Sequence, residues 1–114
     1  MIHNYKNVLF YADGAKGNLA ALLRTYSLAE HNGAKVTVIA VVDEVSTDDA
    51  RLQRKMNQLQ KTLIKDRGLE VDKLIADISS TTKKHPSIKK QVVAGKSNVE
   101  VIKAASDGNF DLVV

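Results

Sequence analysis

Residues 28–44, LAEHNGAKVTVIAVVDE, decide the fold of this chain. The segment 36–42, VTVIAVV, is apolar or β-branched throughout, a pattern typical of a strand covered on both faces of its sheet. Gly33 is expected to end the preceding helix, because glycine adopts the left-handed backbone that follows a last helical turn. Asp43 and Glu44 close the strand. The stretch therefore predicts a helix followed by a buried strand, the repeating unit of a parallel sheet.

Apolar segments alternate with amphipathic ones along the rest of the chain. The first helix is expected to be capped by Asn18. Right-handed crossovers leave few topologies, and the short apolar first strand is expected to lie centrally. The sequence predicts an α/β fold: a doubly wound parallel sheet with helices on both faces and the strand order 3-2-1-4. The predicted strands are 7–12, 35–42, 88–94 and 110–114.

The second crossover is long and polar. Ser46, with Asp49 three residues later, resembles a capping box at the start of a helix over 47–67. Gly68 is predicted to end or bend this helix. A further helical segment, 69–78, is expected to follow it.

Composition excludes several classes of protein. A hydrophobic fraction of 44% indicates a globular chain rather than a disordered one. No apolar run approaches the ~18 residues of a membrane span, and no signal-peptide pattern opens the chain. The absence of cysteine excludes disulfides and thiol chemistry. We therefore expect a cytoplasmic protein without membrane association.

Neither a metal site nor a catalytic group stands out. His3, His31 and His85 are far apart in the sequence, and no serine–histidine–aspartate arrangement is evident. The net charge of +4 comes from scattered basic residues, and the densest basic segment, 83–90, has no interleaved aromatic residues. We therefore predict a protein that is not an enzyme and for which nucleic acid is an unlikely partner.

Two other families share the alternating pattern. A flavodoxin-like electron carrier would explain the loop DGAKGN at 13–18, but flavin sites favour aromatic stacking and aromatic residues make up only 4% of the chain. A phosphoacceptor receiver domain needs acids after the first and third strands, and the third ends in Val93-Ala94-Gly95. The flavodoxin-like electron carrier remains a remote alternative. The receiver-domain interpretation lacks the acid that would accept the phosphoryl group.

Three segments together resemble the universal stress protein family. They are YKNVLFYADGA at 5–15, LAEHNGAKVTVIAVVDE at 28–44, and VVAGKSNVEVIKAASDGNFDLVV at 92–114. The last follows the family pattern of strand, glycine, small capping residue, helix and Asp-Leu-Val-Val strand. The resemblance implies a five-stranded parallel sheet, of which the fifth strand and a glycine-rich phosphate loop are missing here. Residues 1–114 are thus interpreted as an incomplete domain of this family.

The resemblance also implies a nucleotide site. In the family an aspartate closing the first strand contacts the nucleoside, which corresponds to Asp13, and backbone groups after the second strand meet the base, which corresponds to Val41. Tyr11 and Ala12 stand where the family often has proline or a small residue, and Gly95 would let a ligand approach. ATP or AMP is expected in the full-length protein, with no nucleotide stably bound to these 114 residues.

The sequence also leaves open a second interpretation, in which the protein is a module that binds no nucleotide. Tyr11 and Ala15 depart from the family pattern, and some members act as dimerisation or partner-binding modules, including domains of tandem proteins. A second universal stress domain in the parent chain is consistent with this. We expect a homodimer or other homo-oligomer, joined through the edge of the fourth strand or the helix face beside it.

Overall fold

A computed structural model describes residues 6–13, 17–44, 47–82 and 88–114, with only the backbone of Thr82. Four strands and three helices alternate along these residues. They are β1 (Asn7–Tyr11), α1 (Asn18–Asn32), β2 (Lys35–Asp43), α2 (Ala50–Thr82), β3 (Ile88–Gly95), α3 (Ser97–Asp107) and β4 (Leu112–Val113).

The sheet is parallel and its strand order is β3-β2-β1-β4, as the sequence predicts. The β1–β2 ladder runs from Asn7–Lys35 to Tyr11–Ile39, and all eight residues of β3 pair with β2. The fourth strand is shorter than the predicted 110–114, since only Leu112 and Val113 form its ladder. Asn109 has a positive φ of 53°, and the turn it belongs to delays the start of the strand.

The two faces of the sheet have separate cores. Val8 and Phe10 of β1, and Ala12 directly after it, point towards α1 and α2, whereas Leu9 and Tyr11 point towards α3. This alternation follows from the period of two along a strand. The α1 and α2 face holds most of the buried apolar side chains, and the α3 face holds a smaller cluster.

Glycines mark both ends of α1. Gly33 has a left-handed backbone with φ 66°, and the next residue, Ala34, donates its N–H to the carbonyl of Ala29 at 2.7 Å. The predicted helix end is therefore confirmed. The start differs from the prediction, because Asn18 is the first helical residue and the N-cap is Gly17, with φ 93°. A left-handed N-cap explains why glycine rather than asparagine occupies that position.

The second crossover is one continuous helix, so the predicted helix end at Gly68 is wrong. Gly68 is buried, and a Cβ there would lie 3.6 Å from the Lys90 Nζ and 3.9 Å from the Val92 Cγ2 of β3. The glycine thus lies where α2 passes close to the sheet. Asp49 caps the helix by accepting N–H groups of residues 51 and 52 at 2.9 and 3.2 Å. The capping-box partner Ser46 lies outside the described residues.

None of the described helices combines the length and apolarity that crossing a bilayer requires. Within the same described ranges there is also no group of three or more histidine, aspartate or glutamate side chains that could hold a metal ion.

Candidate functional site

The carboxyl ends of the parallel strands meet at one edge of the sheet, which we call the carboxyl edge. Tyr11, the last residue of β1, donates its N–H to the carbonyl of Val114 at 3.0 Å. Ala12 donates to the carbonyl of Ile39 at 2.9 Å. The end of β1 is thus held between β2 and β4. Because α1 covers one face and α3 the other, β1 is the strand at which the winding reverses.

The backbone of Val41 points towards the end of β1. The carbonyl of Ile39 is directed at β1, since it accepts the Ala12 N–H. Backbone directions alternate along a strand, so the N–H and C=O of Val41 point to the same side. The β1–β2 ladder ends at the pair Tyr11–Ile39. Val41 therefore presents a backbone donor and acceptor just past the last residue pair of that ladder.

The side chains of the predicted site residues divide into buried and exposed groups. Ala12 is 5% exposed and Val41 is 9% exposed, and each packs into the core on its own face of the sheet. Tyr11 is half-buried against the α3-side cluster. Asp13 is exposed and follows β1 by two residues. Only Asp13 offers a charged side chain to solvent, while Ala12 and Val41 offer backbone.

Gly95 lies apart from the three predicted residues at the end of β1, Tyr11, Ala12 and Asp13. It ends β3 opposite Asp43 of β2, so one strand separates it from β1. Because neighbouring strands lie about 4.8 Å apart, Gly95 lies roughly 10 Å from β1. Gly95 has φ 152°, and a Cβ there would lie 2.5 Å from the Glu100 Oε1. The space above this glycine is therefore filled by Glu100, which a ligand would have to displace.

Acidic residues surround the carboxyl edge. Asp43 and Glu44, both exposed, follow the buried part of β2 and join Asp13 there. Glu100 is close to Lys103, with 4.0 Å between Oε1 and Nζ. The position of Asp43-Glu44 directly after a buried strand was the sequence signal for this charge. Close to Asp13, Asp43 and Glu44, these charges favour hydroxyl groups and disfavour phosphate, whereas the exposed Lys96 after Gly95 is a cation.

A small cavity of about 180 Å³ opens beside Ala12 on the α1 and α2 face. Asn18 lines it together with Arg67, whose Nη1 lies 2.9 Å from the Glu70 Oε2. Sequence reasoning missed Arg67, because its position on α2 became evident only once the helix was known to continue through residue 68.

A second cavity, of about 750 Å³, lies mostly at the amino end of the sheet. It separates the C-terminal half of α3 from the amino halves of β2 and β3. Its lining includes Lys35, Thr37, Lys89, Gln91, Lys103 and Phe110. Glu100, which fills the space above Gly95, also lines this cavity, whereas Tyr11, Ala12, Asp13 and Val41 do not.

One carboxyl at the amino end of the sheet has a shifted pKa. Asp111 accepts the backbone N–H of Lys6 at 2.8 Å and that of Asn7 at 3.1 Å. The hydrogen bond from Lys6 is the main cause that lowers the pKa of Asp111 below its ordinary value of 3.8. These bonds join the start of β1 to the residue before β4, and they take no part in the carboxyl-edge site.

Comparisons with known proteins agree with this architecture. The universal stress protein UspA from Lactobacillus plantarum is 18% identical, with a TM-score of 0.81 over 99% of this chain and 77% of that one. A universal stress protein solved in complex with cAMP is 18% identical, with a TM-score of 0.65 over 97% and 75%. A universal stress family protein from Burkholderia pseudomallei is 19% identical, with a TM-score of 0.61 over 96% and 79%. None of the curated proteins compared with the chain matches it significantly.

These structural identities are low, so the likeness shows the fold alone. Membership rests on a separate finding: the family model described as "Universal stress protein family" matches residues 4–114, nearly the whole sequence. The chain belongs to the universal stress protein family.

Proposed function

We propose that this chain is a non-enzymatic stress-response protein whose carboxyl edge binds the nucleoside part of an adenine nucleotide such as ATP or AMP. The observation that carries the proposal is the backbone of Val41, which points past the end of β1 at the strand where the winding reverses. Ligands of open α/β sheets bind at such a point. A family structure solved in complex with cAMP supports an adenine nucleotide as the ligand class.

Each residue has a chemical role in this proposal. The N–H and C=O of Val41 pair with the donor and acceptor of an adenine edge. The carboxylate of Asp13 accepts hydrogen bonds from ribose hydroxyls, which are charge-assisted and therefore stronger than neutral ones. The small side chain of Ala12 leaves room beside the cavity of about 180 Å³. Tyr11 limits the space on the α3 side.

The charge of the edge determines which part of the nucleotide these residues favour. Asp13, Asp43 and Glu44 are exposed acids, and they repel phosphate. We therefore expect adenosine to bind this 114-residue chain at least as tightly as ATP. With few polar contacts, the dissociation constant is expected on the order of 1 mM.

Equilibrium dialysis with radiolabelled adenosine and ATP tests the proposal. Asp13→Asn should weaken adenosine binding roughly tenfold, because it removes the charge from the ribose contact. Asp107→Asn is the matched control, an exposed acid at the other end of the sheet, and should leave binding unchanged. The proposal would be contradicted if the Asp13→Asn variant bound adenosine as tightly as the natural chain does. It would also be contradicted if the natural chain bound ATP markedly more tightly than adenosine.

A second candidate function, a dimerisation or partner-binding module, has its own supporting observation. Val113 and Val114 at β4 are 46% and 48% exposed, and Val99 and Ile102 on α3 are 45% and 69% exposed. Exposed apolar side chains beside a strand edge are a common association surface. In sedimentation experiments, Val113→Lys should dissociate a dimer formed at this edge, and an unchanged dimer would exclude the edge as its interface.

A further inference from the structure

The first half of α2 carries a row of apolar side chains on its surface, which we call the α2 stripe: Leu52, Met56, Leu59 and Leu63. The leucines are 44%, 59% and 44% exposed. The intervals between the four residues are four, three and four. This spacing is that of a coiled-coil seam, and what sets the stripe apart from the rest of the helix is its exposure.

The same helix uses a different row to pack on the sheet. Successive residues are rotated by about 100°, which puts this second row about a third of a turn away from the α2 stripe. Its members are buried or half-buried, in contrast to the leucines of the stripe. The core therefore does not account for the stripe. The second row consists of Ile64, Gly68, Val71, Ile75 and Ile78.

The position of the stripe leaves it accessible to another molecule. Gln60 donates from its Nε2 to the carbonyl of Asp43, the last residue of β2, at 3.5 Å. Residues 50–59 consequently extend beyond the carboxyl edge. The longest dimension of the molecule, 54 Å, is close to the roughly 50 Å length of α2 itself.

The charges around the stripe favour another helix over an anionic surface. Gln53 and Gln60 flank the stripe on one side, with Thr62 and Lys55 on the other. The remaining cations lie largely on the opposite side of the helix, where they would face away from a lipid surface that the stripe contacted. They are Arg51, Arg54, Lys61 and Lys65.

We propose that the α2 stripe is a self-association surface, on which a second copy of this chain lays the same stripe in the antiparallel direction. The intervals of four, three and four read identically in both directions. An antiparallel partner therefore matches every layer: Leu52 meets Leu63 of the second copy, and Met56 meets Leu59. In this arrangement the two helix dipoles are antiparallel, which is favourable, and the two sheets lie at opposite ends of the pair.

The interface is small and bounded. Asp49 and Asp66 occupy the next position of the seam at either end and so limit its length. In the antiparallel pair, Asp49 of one copy faces Asp66 of the other. Four apolar side chains per copy bury less than the ~1,200 Å² of a standard interface, so the dimer is weak, with a dissociation constant on the order of 100 μM. Added salt should tighten it by screening the two acids.

Disulfide trapping tests the pairing directly, because the natural chain contains no cysteine. Equal amounts of Met56→Cys and Leu59→Cys proteins are mixed and oxidised at 200 μM. The mixed disulfide should exceed each self-paired product at least threefold, since only residues 56 and 59 face each other in the antiparallel seam. Lys61→Cys, on the opposite side of the helix, is the control and should remain mostly unlinked.

Several results would overturn the proposal. A mixed disulfide only about twice as abundant as each self-paired product is the result of random encounter, and self-paired products in excess of the mixed one would show parallel pairing. Either result, or equal trapping of the Lys61→Cys control, would refute the antiparallel seam. In sedimentation, Leu59→Gln should raise the dissociation constant at least tenfold while urea unfolding of the dilute protein stays unchanged. Dissociation by Val113→Lys without any effect of Leu59→Gln would move the interface to β4 and refute the α2 stripe.

Discussion

The two ends of the sheet differ on the face that α3 covers. At the carboxyl end, Ile39 and Val41 of β2 are buried against Ala104 of α3. At the amino end the same face is polar, and a cavity of about 750 Å³ lies between the sheet and the helix. The polar residues there are Lys35, Thr37, Lys89 and Gln91.

The difference shows what this cavity represents. On one face of β2 the side chains change from polar to apolar between Thr37 and Ile39, and α3 packs closely only where they are apolar. The cavity therefore marks where a helix has little apolar surface to bury. The proposed ligand site is instead at the carboxyl edge, where backbone groups of Val41 and the acid Asp13 lie beyond the last residue pair of the β1–β2 ladder.

The largest effect that this comparison predicts is at Ile39. Ile39→Ala removes a fully buried side chain, at 0% exposure, and should lower the free energy of unfolding by about 2–5 kcal/mol. Thr37→Val, two residues earlier on the same face, is the matched control and should change it by less than about 0.5 kcal/mol. Urea unfolding measures both free energies. Similar losses of stability at the two positions would contradict the difference in packing between the carboxyl and amino ends of the sheet.

The next effect concerns the close packing at the carboxyl edge. Gly95→Ala places a side chain at φ 152° and against Glu100, so we expect a loss of about 1–3 kcal/mol. Gly68→Ala is the comparison, because its Cβ would meet only ordinary contacts at 3.6 and 3.9 Å. That substitution should stabilise the helix by up to about 1 kcal/mol. The unfolding temperatures of both variants are compared with that of the natural chain. A shift of both in the same direction would contradict the difference in packing at these two glycines.

The smallest effect lies at the amino end and depends on pH. The pKa of Asp111 is lowered in the folded protein, chiefly by the Lys6 N–H, so its ionised form stabilises the fold. This contribution is present above the unfolded pKa and is lost as pH falls through the lower folded value. Unfolding midpoints measured from pH 6 to pH 2.5 should therefore fall less steeply for Asp111→Asn than for the natural chain. Parallel curves would refute the role of these hydrogen bonds.

Much of the fold follows from local patterns in the sequence. The run at 36–42 indicates a strand buried on both faces, and Gly33 indicates where α1 ends; both agree with the structure. The interpretation of Gly68 was wrong because a glycine inside a helix has two explanations. It either ends the helix or is accommodated within it, and α2 continues through Gly68 from Ala50 to Thr82.

The candidate site was predictable in part. Residues 11–13 and Val41 lie together because parallel strands share a carboxyl edge, which the alternating pattern already implies. The occupation of the space over Gly95 by Glu100 was not predictable, since it depends on how α3 begins. The two rows of α2 have similar spacing, and sequence alone does not indicate which row the sheet buries.

The most direct test of the proposed function is to map where adenosine binds. Adenosine is titrated into the ¹⁵N-labelled 114-residue chain, and backbone amide shifts are followed by nuclear magnetic resonance. We predict that the largest shifts occur at Ala12, Asp13 and Val41, and that Asp13→Asn reduces them. Shifts concentrated at Lys35, Lys89 and Gln91 would place the ligand in the large cavity at the amino end and contradict the proposed site.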